Sequence, residues 1–230
     1  MAVETSGRVG SIALRAGRAA LGERVFEHGL KNAATILPAI DDLVRPHGGP
    51  GAIATLCVSV GPGSFTGLRI ATTLAKTLAF ATGCRIVAVP SLPVLARNAP
   101  DDATHVIIVL DAKRGQIFTA RYERDGEDWI EREPARLDTL AAMLARAPRP
   151  VHLIGEGIDY HRSVIPSHPD IIVTDPTRWR ARAEVVADLG LRMATAGKFA
   201  DPMRLAPLYI RLPEAEEKRL VAEGKIPPVV

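Results

Sequence analysis

Aromatic residues are scarce in this chain: Phe, Trp and Tyr together make up 4% of its 230 residues. With 47% apolar residues, a core is affordable, but it must be built from Ala, Val, Leu and Ile. The net charge is only +3. No dense Lys/Arg patch interleaved with aromatics is visible along the sequence, so the mild basicity does not by itself nominate a nucleic-acid surface. The arginines of Arg178-Trp179-Arg180-Ala181-Arg182 read as a solvated helix start. The two cysteines, Cys57 and Cys84, lack C-x-x-C spacing and lie in or near apolar runs. They read as reduced, buried thiols of a cytoplasmic protein. No apolar run approaches the roughly 18 residues of a membrane span, and no signal peptide opens the chain.

Several catalytic patterns are also missing. There is no H-x-x-x-H, which would bring two imidazoles to one ion on a helix face. G-x-S-x-G is absent, so Ser64 has no nucleophile elbow. Neither the Walker A spacing nor G-x-G-x-x-G occurs; Gly61, Gly63 and Gly67 give G-x-G-x-x-x-G, followed by Leu68 rather than Lys.

What is present is concentrated at Val58–Ala71, VSVGPGSFTGLRIA. A β-forming run stops at Gly61-Pro62-Gly63, and a helical pattern runs on to about Thr82. The glycines and Pro62 specify a tight turn, and Ser64 or Thr66 can cap the helix. Such a junction gathers unpaired N–H groups at the positive end of a helix dipole, which favours an anion, although most strand–glycine–helix junctions bind nothing. In the helix, Gly67, Ala71, Ala75, Ala79 and Gly83 recur every four residues beside a ridge of Ile70, Leu74 and Leu78. This stripe lets another backbone approach closely. Packing on its own sheet and contact with a partner subunit both fit.

Along the chain, strands are expected at Met1–Glu4, Gly10–Arg15 and Ala20–Phe26, then a helix at Thr35–Val44, a strand at 54–60, a helix at 66–82 and a strand at Ile86–Val89. A short helix begins at Ser91. Further strands are expected at Val106–Leu110, Gln116–Tyr122, Val151–Ile154 and Ile171–Val173. Helices are expected at Leu137–Ala147 and Ala181–Thr195, with a helical tail at Glu214–Arg219. This order implies an α/β fold, a mixed sheet with helices on its faces. The run Asn98-Ala99-Pro100-Asp101-Asp102 suggests a boundary between a lobe of residues 1–100 and one of residues 101–230. The first strand is only about four residues long, below the usual five to six; upstream residues completing it are expected to raise thermal stability.

Four stretches carry a family resemblance. They are Glu4-Thr5-Ser6 before the Val9–Leu14 strand, Gly61-Pro62-Gly63-Ser64-Phe65-Thr66-Gly67-Leu68-Arg69-Ile70, Asp111-Ala112-Lys113-Arg114-Gly115-Gln116-Ile117-Phe118, and Pro207-Leu208-Tyr209-Ile210-Arg211. In that order they resemble the bacterial TsaB (YeaZ) family, a paralogue of TsaD. The resemblance implies the actin/Hsp70/sugar-kinase-like (ribonuclease H-like) fold, with two lobes of mixed sheets flanked by helices, the second degenerate. It implies a non-catalytic subunit that supports TsaD in making threonylcarbamoyladenosine beside the tRNA anticodon, with no catalytic residue and no metal of its own. The implied partners are a TsaD homologue, in a heterodimer or heterotetramer, and a TsaE homologue as ATPase. The chain alone would be a homodimer, and tRNA would be met through the complex. No cofactor is expected on the chain itself, with ATP or ADP at a partner boundary left open. The expected partner face comprises Asn32, Ile36, Gly67, Ile70, Ala71, Leu74, Ala75 and Leu78. Asn32 stands where the family usually has a histidine, which removes a residual metal ligand. Glu4, Thr5, Ser6, Gly61, Gly63 and Ser64 form the candidate nucleotide or anion site. The competing reading is an autonomous nucleotide-dependent phosphotransferase or ATPase of the same superfamily, with Glu4 and the Gly61–Ser64 turn at phosphates.

Overall fold

Alternation of side chains along the early strands builds a sheet buried on both sides. The computed structural model describes residues 1–27, 32–211, 219–220 and 222–223. Strands β1 (Ala2–Glu4), β2 (Val9–Ala16), β3 (Ala19–Glu27), β4 (Thr55–Gly61) and β5 (Arg85–Pro90) form a five-stranded sheet in the order β3-β2-β1-β4-β5. β1 runs antiparallel to β2 and parallel to β4. Val3, Ile12, Leu14, Leu56, Val58 and Ile86 point to one face, which is covered by α1 (Asn32–Val44) and α2 (Phe65–Thr82). Ala2, Ala13, Cys57, Val87 and Val89 point to the other. That face carries α6 (Ala183–Thr195), which packs on β1, β2, β4 and β5. α3 (Ser91–Ala96) lies beside it and touches α6. The core on this side continues without a break into the second sheet. β2 also helps start α6: Ser11 is buried, and its hydroxyl accepts the N–H of Ala183 at 2.9 Å. The residue before the helix, Arg182, offers no side-chain cap.

The second sheet contains β6 (His105–Ile108), β7 (Leu110–Asp111), β8 (Ile117–Asp125), β9 (Asp128–Asp138), β10 (Val151–Ile154) and β11 (Ile171–Val173). Its order is β11-β10-β6-β8-β7, with β9 paired to β8. β10 is parallel to β6 and β11, while β8 is antiparallel to its neighbours. Two short helices complete this half, α4 (Leu140–Arg146) and α5 (Ile158–His161). The structure therefore has the α/β architecture of mixed sheets flanked by helices.

Three local expectations change. β9 had no counterpart in the sequence reading, because its residues are mostly charged and its side chains lie largely at the surface. Pro134 sits where the β8–β9 register shifts, a position a paired inner strand would not allow. The helix expected from Leu137 starts only at Leu140, since Leu137 and Asp138 still belong to β9. Thr139 caps it, accepting the N–H of Ala142 at 3.2 Å. The apolar run at 106–110 is likewise cut at Val109, whose N–H goes to Ile154. The expected tail helix at Glu214–Arg219 falls almost wholly outside the described residues.

After α6 the chain returns across both sheets. Ala200 bridges to Ile86, and the Leu208 N–H donates to the Val60 carbonyl at 2.7 Å. Arg211 then reaches the second sheet, donating to the Ala112 carbonyl and to Gln116 Oε1.

Candidate functional site: the glycine turn and the loops around it

Four segments meet at the ends of the central strands: residues 4–8 after β1, the turn 61–67 between β4 and α2, residues 111–116 between β7 and β8, and residues 155–157 after β10. Glu4 ends β1 and is fully buried. Its Oε1 accepts the Ser6 N–H at 2.5 Å, while its buried Oε2 has no hydrogen-bond partner. Burial raises the Glu4 pKa, and hydrogen bonds from Ser6 and Ser59 only partly oppose it. This carboxyl is therefore biased toward its neutral form. Beneath it, the buried hydroxyls of Ser59 and Ser91 are hydrogen-bonded to each other at 2.8 Å.

The glycine turn is moulded to this segment. The Ser64 N–H donates to the Ser6 carbonyl at 2.7 Å, and the Thr5 hydroxyl donates to the Gly67 carbonyl at 2.7 Å. A Cβ on Gly63 would stand 2.4 Å from the Ser6 carbonyl oxygen, and one on Gly67 only 1.9 Å from that of Thr5. Only hydrogen fits at either place. Ser64 caps α2 as expected, accepting the Gly67 N–H at 3.3 Å. From the loop after β10, the Glu156 carboxylate accepts the Arg8 N–H at 3.0 Å. Asp111 Oδ1 accepts the Lys113 N–H at 3.1 Å and lies 3.5 Å from His161 Nε2, a buried nitrogen with no hydrogen-bond partner.

Glu4, Thr5, Ser6, Gly61, Gly63 and Ser64 are thus brought together, but the amides that would cradle an anion already serve the chain itself. Ser6, Arg8 and Ser64 all donate inward. Glu156 also sets a negative charge beside Gly7, where a phosphate would enter. Among the described residues, no three His, Cys, Asp or Glu side chains converge in a way that could hold a metal ion. Both cysteines are free and buried.

The expected partner face requires a correction. Gly67, Ala71, Leu74 and Ala75 are buried within the molecule, as is Ile36 on α1, and Ile70 and Leu78 are half-buried. The small-residue stripe is the inward face of α2, and it allows the helix to sit tightly on its own sheet. The side chain of Asn32 lies outside the described residues. The open face of α2 instead carries Phe65, Arg69, Thr73, Thr77 and Phe80, the last 95% exposed; Leu37 of α1 is also exposed. Arg69 stacks on Phe65 at 3.9 Å and donates to the Tyr209 hydroxyl at 3.1 Å, tying this corner to the returning tail. The residues that the sequence reading missed, Arg8, Glu156, Tyr160 and His161, are brought in by topology. The one signal was Gly155-Glu156-Gly157 after an apolar strand.

Comparison with known proteins agrees with this geometry. Residues 31–168 match the family described as "TsaD: tRNA N6-adenosine threonylcarbamoyltransferase". The chain is 31% identical over 227 residues to the tRNA threonylcarbamoyladenosine biosynthesis protein TsaB of Bacillus subtilis (strain 168), covering 95% of this chain and 96% of that one. It is 36% identical to the Escherichia coli (strain K12) protein of the same name over 93 residues, 39% of this chain and 40% of that one. Among solved structures, YeaZ from Pseudomonas aeruginosa superposes with a TM-score of 0.76 at 24% identity, covering 90% of this chain and 97% of that one. A crystal structure described as similar to peptidase YEAZ from Pseudomonas aeruginosa gives 0.79 at 24% identity, over 91% and 98%. The fold is that of these YeaZ structures, two mixed sheets flanked by helices. With its glycine signature seated on Thr5 and Ser6, and with similarity running almost end to end, the chain belongs to the TsaB (YeaZ) family.

Proposed function

We propose that this chain takes part in making threonylcarbamoyladenosine in tRNA, as a non-catalytic, cytoplasmic subunit that binds and supports a TsaD homologue, with a TsaE homologue as a further partner. The near full-length similarity to the Bacillus subtilis protein supports the pathway. One observation carries the non-catalytic role: the backbone amides of Ser6, Arg8 and Ser64, which a phosphate would need, are already donated inside the molecule. The partner docks on the outward face of α2, where Phe80 is 95% exposed and Thr73 and Thr77 offer no bulk against a close approach. Left alone, the chain uses the same face for a second copy.

Co-expression with the TsaD homologue, followed by mass measurement of the purified complex, tests this reading. Thr73→Arg and Thr77→Arg place charge on the contact without touching the core, so the fold stays within about 0.5 kcal/mol of the parent. Each is expected to weaken pairing by tenfold or more. A complex that survives both substitutions shows that this face is wrong. ATP turnover by the isolated chain supplied with magnesium, abolished in Glu4→Ala, would establish the phosphotransferase reading instead.

A further inference from the structure

Three segments distant in sequence meet at the surface beside the loop that follows β1. Arg8 follows β1, Lys113 and Arg114 follow β7, and Tyr160 lies in α5. The Tyr160 ring is 55% exposed, with the Arg8 guanidinium 5.1 Å and the Lys113 ammonium 5.4 Å from its centre. Arg8 also donates to the Tyr160 hydroxyl. The cations face water, and the Lys113 side chain is 78% exposed. The neighbouring acids are less exposed than the cations. Asp111, its side chain only 16% exposed, accepts the Lys113 N–H through Oδ1 and pairs through Oδ2 with the Lys113 ammonium at 3.1 Å, an ion pair that a phosphate would replace, and Glu156 holds the Arg8 N–H.

The backbone presenting these cations is strained. Lys113 and Arg114 have φ of +64° and +52°, followed by Gly115 at +68°. A left-handed conformation is disfavoured for a residue that carries a side chain. It persists here because the turn is held from several sides. Ala112 donates to Gln116 at 2.9 Å, Gln116 donates to Lys113 at 3.0 Å, and Arg211 of the returning tail donates to Ala112 and Gln116. Neither the core nor the face of α2 requires this arrangement.

An aromatic face flanked by exposed cations fits a ligand with a flat π-system and phosphates, as unpaired RNA has. An acidic peptide would use the cations but not the ring. We propose that this corner binds unpaired RNA, with a base stacking on Tyr160 and Arg8, Lys113 and Arg114 meeting its phosphates. The base replaces one cation on the ring and frees it for the adjoining phosphate. This inference rests on the tRNA-modification reading and deepens it, giving the subunit a direct contact with the nucleic acid.

The test is fluorescence anisotropy of the full chain with a short labelled unpaired oligoribonucleotide at several salt concentrations. Tyr160→Ala is expected to weaken binding about tenfold, and Tyr160→Phe to stay within about twofold. Lys113→Gln is expected to reduce the salt slope by about 0.7, the value for one contact to a single strand. Equal affinity in the parent and in Tyr160→Ala, no binding by the parent, or equal binding of blunt duplex RNA would each overturn the proposal. So would capture of polyglutamate that is lost in Tyr160→Ala. Melting temperatures and pairing with the TsaD homologue are measured on the same variants. Intact pairing with RNA binding indifferent to these changes removes this corner alone. Failure of the parent to pair removes the proposed function, and the oligoribonucleotide result still decides this contact.

Discussion

The turn at Gly61–Ser64 and the turn at Lys113–Gly115 use similar backbone chemistry in opposite directions. Both follow a strand of a central sheet, and both contain left-handed residues: Gly61 at φ +111° in the first, Lys113, Arg114 and Gly115 in the second. The first is pressed against Thr5 and Ser6, and its Ser64 amide is donated inward. The second has nothing within 4 Å of a Cβ built on Gly115, and it presents Lys113 to water. A glycine-rich junction is therefore not in itself a binding feature. What matters is whether the chain fills the space the glycines leave.

The largest effect should come from filling that space at the inward turn. Gly67→Ala puts a methyl carbon 1.9 Å from the Thr5 carbonyl oxygen, and both atoms are tied to backbone. Relief requires α2 to lift from the sheet, at a cost of about 3 kcal/mol or more. Chemical denaturation of the variant should show a lowered midpoint or no folded baseline. A midpoint equal to the parent's would mean that the start of α2 does not sit on Thr5 and Ser6 as described.

The contrast extends to two carboxylates whose pKa values move in opposite directions. Burial alone would raise Glu133, but hydrogen bonds from Arg146, Arg121 and Arg136 outweigh it and hold its pKa at about 2. Because the folded value lies below the unfolded one, this stability is complete above about pH 4.5. It is lost as pH falls toward 2 and, with water screening these partly exposed arginines, amounts to about 1 kcal/mol. Glu133→Gln should therefore cost about that much at pH 7 and progressively less in acid, read as denaturation midpoints across pH; a gap that stays constant would break the assignment. Glu4 behaves in the opposite sense, because burial raises its pKa. Below the unfolded pKa both states are protonated and nothing is lost. As pH rises above it, the unfolded chain ionises first and the native state loses relative stability. Glu4→Gln keeps an acceptor for Ser6 and removes the ionisation, so it should gain on the parent near neutral pH. The gain should shrink on acidification, and a variant that falls behind as pH rises would show that Glu4 is charged in the fold.

These differences explain what was legible in the sequence. The first sheet, α2 and the Ser64 cap could be read because local signals agreed there: an apolar run, a glycine turn, a capping hydroxyl and a 3.6-residue period. The direction of α2 could not be read. A stripe of small residues fits a foreign backbone as well as the chain's own, and only Thr5, four elements earlier, decides between them. β9 was hidden because an edge strand of Asp, Glu and Arg has no apolar alternation to display. The corner formed by Arg8, Lys113 and Tyr160 was hidden because its cations and its ring lie up to 152 positions apart. The sequence shows no basic–aromatic cluster there; the fold assembles one.

The smallest effect sharpens the comparison most directly, because it repeats the same substitution at the outward turn. Gly115→Ala adds a methyl group where nothing lies within 4 Å, so there is no clash. The remaining cost is conformational. At φ +68° an alanine is disfavoured by about 1 kcal/mol, partly offset because the unfolded alanine chain has less freedom to lose. The midpoint should drop by about a third of the Gly67→Ala effect or less. Lys113→Gly should be close to neutral, since relief of strain at φ +64° is balanced by the entropy of glycine. If Gly115→Ala proved as damaging as Gly67→Ala, the outward turn would be packed against something, and its strain could not be attributed to presenting cations to a ligand.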